Sequence, residues 1–319
     1  MKEKLSNKHK SDLIIELDIK QIFNILLRGK WIIIFVTSFI SIIGVIYSLL
    51  LPNIYESKTV LISTDSSSSI TRSIQGYAGL AGLAGVNLPT TSDTSNTTQA
   101  IFKLGSLSFF EKNILPNIFL PNLMAIKYWD KDSNLLVYDE NIYDIKTRSW
   151  VGDYAVLKKG IPTAQKSYRV FKNNHFNVSE DKKSGFVSIS IKHQSPHIAK
   201  KWAELLIKEV NIYYREKDKL ESEKAVNYLN KQILMTNLSE VKEVISQLLQ
   251  DETKKLTLVE ANEYYVFDYI DPPALMEEKS EPSRSLISIL STFLGAMLSF
   301  LIVFIKHFGF GQNTRKQNL

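Results

Sequence analysis

Two apolar stretches, Trp31 to Leu51 and Leu286 to Ile305, bracket this chain of 319 residues, and neither contains a charge. Each has about the 20 residues that a helix needs to cross roughly 30 Å of hydrocarbon. An ionised side chain at bilayer depth costs on the order of 3 kcal/mol on insertion scales, so uncharged stretches of this length predict lipid-facing helices. The 234 residues between them, Pro52 to Ser285, have an ordinary soluble composition. The pattern predicts one large hydrophilic domain held at both ends by the same membrane.

Charge placement predicts the orientation. Seven basic and four acidic residues precede the first stretch, and Lys306, Arg315 and Lys316 follow the second with no acid. The middle holds 29 basic and 29 acidic residues, so the two ends carry the whole formal net charge of +6. Positive flanks on both sides put both termini in the cytoplasm and the middle across the membrane. The pI near 9.1 is then a topology signal, and no nucleic-acid partner is expected. The exit Leu49-Leu50-Leu51-Pro52 lacks the small residues of a signal-peptide cleavage site, so the first stretch is expected to stay as an anchor. With no cysteine, disulfide staples, thiolate metal sites and thiol nucleophiles are excluded.

The periodicities divide the middle. Asp12 to Arg28 is amphipathic at helical spacing and reads as an interfacial helix feeding the first span. Glu56 to Thr64 reads as a strand, and a Ser/Thr/Gly-rich run from Asp65 to Gln99 follows, with glycines every third residue between Gly79 and Gly85. Tyr138 to Tyr143 is strand-like, Thr163 to Asn173 helical, and Phe186 to His193 alternates with period two as a strand does. Ser195-Pro196 then offers a cap and a first-turn proline. From Pro196 to Leu256 there is neither proline nor glycine, so one long helix is expected. Trp202, Leu206, Val210 and Tyr213 give it a packing stripe. Arg215 to Lys224 is polar all round but for Leu220, and the stripe resumes from Val226 to Leu248. Such a helix predicts lateral contact with copies of itself; a hairpin broken near Thr236-Asn237 fits the same residues. Tyr264 to Ile270 reads as a returning strand, ended by Asp271-Pro272-Pro273.

Motifs for chemistry are absent. The five histidines lack ligand spacing, and no phosphate-binding loop, nucleophile elbow or kinase signature occurs. The carboxylates are interleaved with lysines and read as solvated faces. No catalytic, cofactor-binding or metal-binding residue is therefore assigned, and no cofactor is expected.

The order of these pieces resembles the polysaccharide co-polymerases, specifically the bacterial O-antigen chain-length determinants, the Wzz-like proteins. The resemblance rests on the lead-in with Trp31, Tyr55-Glu56-Ser57, the Ala-Gly-Leu-Ala-Gly run, and Gly185-Phe186-Val187-Ser188 through Ser195-Pro196. It continues in Ala199-Lys200-Lys201-Trp202, Asn211, Glu263-Tyr264-Tyr265-Val266-Phe267, Asp271-Pro272, and Pro282 before the second span. Relatives are often richer in proline where this chain has Met276 and Glu277.

The resemblance implies an α+β membrane protein in which two transmembrane helices flank a periplasmic, membrane-proximal α/β domain with a long helical hairpin. The expected order is a cytoplasmic segment 1–30, span 31–51, periplasmic domain 52–285, span 286–305 and cytoplasmic tail 306–319. Within the domain, 52–195 and 257–285 form the base and 196–256 the long helix. No kinase domain is expected after the second span. The implied activity is non-enzymatic. A homo-oligomeric ring in the bacterial inner membrane would set the modal O-antigen length in lipopolysaccharide biosynthesis, acting with the O-antigen polymerase on the polysaccharide or its undecaprenyl-linked intermediate. The alternative is a co-polymerase or export adaptor for a capsular or exopolysaccharide. Three residue sets are expected to matter. Pro272, Pro273 and Pro282 stiffen the juxtamembrane segment. Ser291, Gly295 and Ser299, four apart, let helices approach closely in the second span. Leu229, Ile233 and Val241 lie on the helix surface used in assembly.

Overall fold

A computed structural model describes residues 25–64, 96–154 and 160–307, and the chain divides into two compact units. The amphipathic lead-in and the Ala-Gly run lie outside the described residues, apart from the end of the former.

The first unit contains two helices, α1 (Lys30–Leu50) and, at the far end of the chain, Arg284–Ile305; both are long and apolar enough to cross a membrane. They run antiparallel: Gly29 meets Val303, Thr37 meets Gly295, and Gly44 meets Ser291. Large apolar side chains such as Trp31, Phe35 and Phe293 point outward, as lipid-facing residues do.

The second unit is built on a four-stranded antiparallel sheet. Its strands β1 (Tyr55–Ser63), β6 (Phe176–Glu180), β7 (Val187–His193) and β8 (Phe267–Asp271) lie in the order β6-β7-β1-β8. The labels β2 (Ile126–Asp130), β3 (Leu135–Tyr138), β4 (Tyr143–Asp144) and β5 (Ser149–Trp150) belong to two small hairpins. On β1 the side chains of Tyr55, Ser57, Thr59 and Leu61 are buried, opposite His193, Ile191, Ile189 and Val187 of β7. Period-two alternation thus puts one face of the sheet inward.

Numbering the helices of this unit along the chain gives α2 (Asn96–Leu104), α3 (Ala164–Val170), α4 (Pro196–Met235) and α5 (Ser239–Ala261); the second apolar helix is then α6. The first turns of α4 cover the sheet with Ala199, Trp202, Ala203, Leu206, Ile207 and Val210, all buried. Phe109, Phe110 and Phe171 complete the core, with Phe171 against the Trp202 and Phe176 rings.

Four expectations change. The helix expected over 196–256 is two helices, because Thr236 is extended (φ −92°, ψ 141°) and α5 packs back on α4. Thr and Asn favour local alternatives to the helix, and Thr236-Asn237 interrupts it there. The polar stretch Arg215–Lys224 finds some of its partners within one chain: Asp218 and Ser222 are buried, Tyr265 donates to Asp218 at 2.7 Å, and Lys219 meets Glu260 at 2.5 Å, while Leu220 stays exposed. Tyr138–Tyr143 is not one strand, since Tyr138 ends β3 and Tyr143 opens β4. The chain turns there, with the Asp139 carboxylate accepting the Asn141 N–H at 3.0 Å. Ser195 precedes α4 but its side chain does not cap it; its N–H donates instead to His193 Nδ1 at 2.9 Å.

Candidate functional site

Lys201, Lys208 and Arg215 recur every seven residues along α4, which brings them to one face over about 21 Å of helix. They form one wall of a cleft of about 760 Å³. Tyr264, Tyr269, Pro272 and Pro273, from the segment that carries the chain into and out of β8, form the other wall. The two tyrosine rings meet edge to face at 5.6 Å. Burial pushes the Tyr269 phenol up to about 12, helped by the neighbouring Tyr264, so it stays a hydrogen-bond donor at neutral pH.

The α4 backbone and β8 are locked together beneath the cleft by Asn211. Its buried side-chain oxygen accepts the N–H groups of Val266 (2.7 Å) and Phe267 (3.0 Å), and its Nδ2 donates to the Phe267 carbonyl at 3.0 Å. Among the described residues no carboxylate lies within ion-pair distance of Lys201, Lys208 or Arg215. Glu204 and Glu263 also line the cleft, but Glu204 faces Lys200 at 3.8 Å. A row of unpaired donors opposite flat aromatic and proline faces can hold a polar, ring-bearing chain by hydrogen bonds on one side and ring faces on the other. Three charged groups in the middle of a wall suit a solvated ligand better than a dry protein interface, whose cores are depleted of charge.

The expected site residues separate. Pro272 and Pro273 both line the cleft, Pro273 buried and Pro272 exposed, whereas Pro282 belongs to the other unit. Between them the segment is tied to the sheet. Ser57 donates to the Ala274 carbonyl at 2.9 Å, Ile54 N–H donates to the Glu281 carbonyl at 2.9 Å, and Lys192 meets Glu281 at 2.5 Å. Leu229 and Ile233 are half-buried and Val241 exposed. The most exposed apolar residues near the α4–α5 turn are Leu234, at 84%, and Met235, at 75%, which the stripe from Val226 to Leu248 skips.

Ser291, Gly295 and Ser299 face the first apolar helix of the same chain. A Cβ at Gly295 would sit 3.2 Å from the Thr37 backbone, Thr37 Oγ1 donates to Ser299 Oγ at 3.5 Å, and Ser41 and Thr292 hydroxyls meet at 2.7 Å. The close helix approach expected of this ridge is made here within one chain.

The row Lys201, Lys208 and Arg215 went unread in the sequence although its seven-residue spacing was visible. What the sequence lacked was the opposite wall, which arrives from about 60 residues further along.

Comparison with known proteins bears on residues 15–107, which match the family model of the Wzz chain length determinant protein. That match covers under a third of the chain. The matched stretch takes in α1, β1 and α2, that is, the first apolar helix and the first central strand of the sheet. No curated protein matches the chain. Among solved structures it is similar to a full-length bacterial polysaccharide co-polymerase, with 14% identity, a TM-score of 0.38, and 94% of this chain and 99% of that one covered. It is also similar to a fragment of WzzB, a polysaccharide co-polymerase from Salmonella Typhimurium, with 14% identity, a TM-score of 0.32, and 72% and 100% covered. Neither likeness is close enough to transfer geometry.

Proposed function

We propose that this chain regulates the modal length of a bacterial cell-surface polysaccharide, the O-antigen of lipopolysaccharide, without catalysing a reaction. The match of residues 15–107 to the Wzz chain length determinant carries this reading. Two membrane-length helices bracketing one folded unit agree with it, since a regulator of a membrane-bound polymerase must be held beside it. In this reading both termini are cytoplasmic, and the sheet with the α4–α5 hairpin stands in the periplasm of the inner membrane. Copies assemble as a ring and act with the O-antigen polymerase. The basic and aromatic cleft is the surface offered to the growing polysaccharide or its lipid-linked intermediate. Pro272 and Pro273 shape that cleft, Pro282 stiffens the approach to α6, and Leu229, Ile233 and Val241 belong to the surface between copies.

The test is genetic. Deleting the gene should replace a modal cluster of lipopolysaccharide bands by a graded ladder of short chains, and the gene on a plasmid should restore the cluster. An unchanged O-antigen ladder in the deletion strain, alongside an altered capsular or exopolysaccharide, would move the reading to that polymer. No change in any surface polysaccharide would refute it.

A further inference from the structure

The ends of the two apolar helices hold a second concave site, separate from the cleft. Arg28, just before α1, and Lys306 and His307, at the end of α6, surround a notch of about 270 Å³ whose floor is Ile25, Ile32 and Val303. The helices touch at its base: a Cβ on Gly29 would lie 2.7 Å from both methyl carbons of Val303. Ile25 and Val303 are buried there, while Arg28 and Lys306 are exposed. Residues 25–52 and 282–307 contain no Asp or Glu, and neither Arg28 nor Lys306 forms an ion pair among the described residues. Two cations contributed by two different helices thus converge on one notch with an apolar floor, at the level where a membrane-spanning pair meets the lipid head groups.

We propose that this notch seats the phosphate of an anionic membrane lipid. The Arg28 guanidinium can hold two phosphate oxygens at once and Lys306 adds a point charge, while the apolar floor takes the first carbons of an acyl chain. Basic pockets between transmembrane helices bind anionic head groups in this way. The bound lipid bridges α1 and α6 and so fastens the helix pair at its open end. The site is independent of the reading of the cleft.

The test uses the full chain in lipid nanodiscs and native mass spectrometry. With phosphatidylglycerol and phosphatidylcholine present in equal amounts, the chain should retain phosphatidylglycerol. Arg28→Gln with Lys306→Gln should weaken that retention by roughly thirtyfold, about fivefold for each cation at an anionic surface. Lys30→Gln, which removes one charge beside the notch without lining it, should weaken retention by no more than the roughly fivefold that a single cation near an anionic surface carries. Equal retention of both lipids, or the same loss in Lys30→Gln as in the double variant, overturns the proposal. A second arm adds inorganic phosphate to the chain in phosphatidylcholine discs. If phosphate alone raises the unfolding temperature as much as phosphatidylglycerol does, the site takes free phosphate and the lipid assignment is wrong. Circular dichroism of the double variant separates lost binding from lost folding, because a folded variant that still retains phosphatidylglycerol contradicts the assignment outright.

Discussion

The Asn211 amide satisfies three backbone groups of the chain entering β8, all of them buried. Asn211→Leu keeps the volume and strips away those partners. Each buried N–H left unpaired costs about 1–3 kcal/mol, so the variant should lose on the order of 3 kcal/mol in a denaturant titration, while Asn211→Gln should recover part of it. His193 is another polar residue held in the core. Its Nδ1 accepts the Ser195 N–H and its Nε2–H donates to the Asn122 carbonyl at 3.1 Å, so the neutral ring is the one that fits. Burial pushes it down to about 4 from an ordinary 6.5. A folded-state value below the unfolded one means that protons favour unfolding. Stability is full above about pH 6.5, falls as pH drops, and levels off below about pH 4. The loss attributable to His193 is about 3 kcal/mol at most. His175 is shifted the same way by burial, so His193→Gln should shallow the slope of melting temperature against pH without removing it. A variant with an unaltered slope would show that His193 is not the titrating group.

At the scale of elements, packing between α1 and α6 depends on small side chains at the crossing. Gly295→Leu would drive a branched side chain into the Thr37 backbone, where even a Cβ stands at 3.2 Å. A cysteine pair introduced at Ser41 and Thr292, whose hydroxyls meet at 2.7 Å, should cross-link readily in the unmodified background and severalfold more slowly beside Gly295→Leu. Equal rates would mean that the helices pack elsewhere. The elements most legible in the sequence were those with one strong period or one strong punctuation mark. The charge-free runs became α1 and α6, the alternation in Phe186–His193 became β7, and Pro196 stands at the start of α4. Pattern failed where tertiary partners decide. Arg215–Lys224 looked polar all round because the tyrosine that meets Asp218 and the glutamate that meets Lys219 come from beyond the turn. The stripe from Val226 to Leu248 ran straight through the break because a helical period persists across three non-helical residues. The cleft was invisible for the same reason: Lys201, Lys208 and Arg215 are on α4, and the tyrosines and prolines facing them are on a segment the sequence could not fold back.

At the scale of the molecule, function rests on where the folded unit stands and whether it does chemistry. In the proposed topology, the excess of positive charge outside the two apolar helices holds both ends in the cytoplasm. Periplasm-active reporters should therefore be silent when fused at Leu319 and active when inserted within Ser66–Ser69; the same signal from both would overturn the topology. The central claim, that the chain tunes a polymer without making it, is tested most directly by lipopolysaccharide banding from a null strain complemented with single and combined variants. Lys201→Gln, Lys208→Gln and Arg215→Gln together, or Leu229, Ile233 and Val241 changed to serine, should broaden or shift the modal cluster while polymer is still made at the normal total. Removing a catalytic group costs several orders of magnitude in rate, whereas a disturbed surface shifts a distribution by degrees. Should one conservative change of a single polar residue abolish polymer synthesis with the protein present at its normal level, the chain does chemistry and the account is wrong.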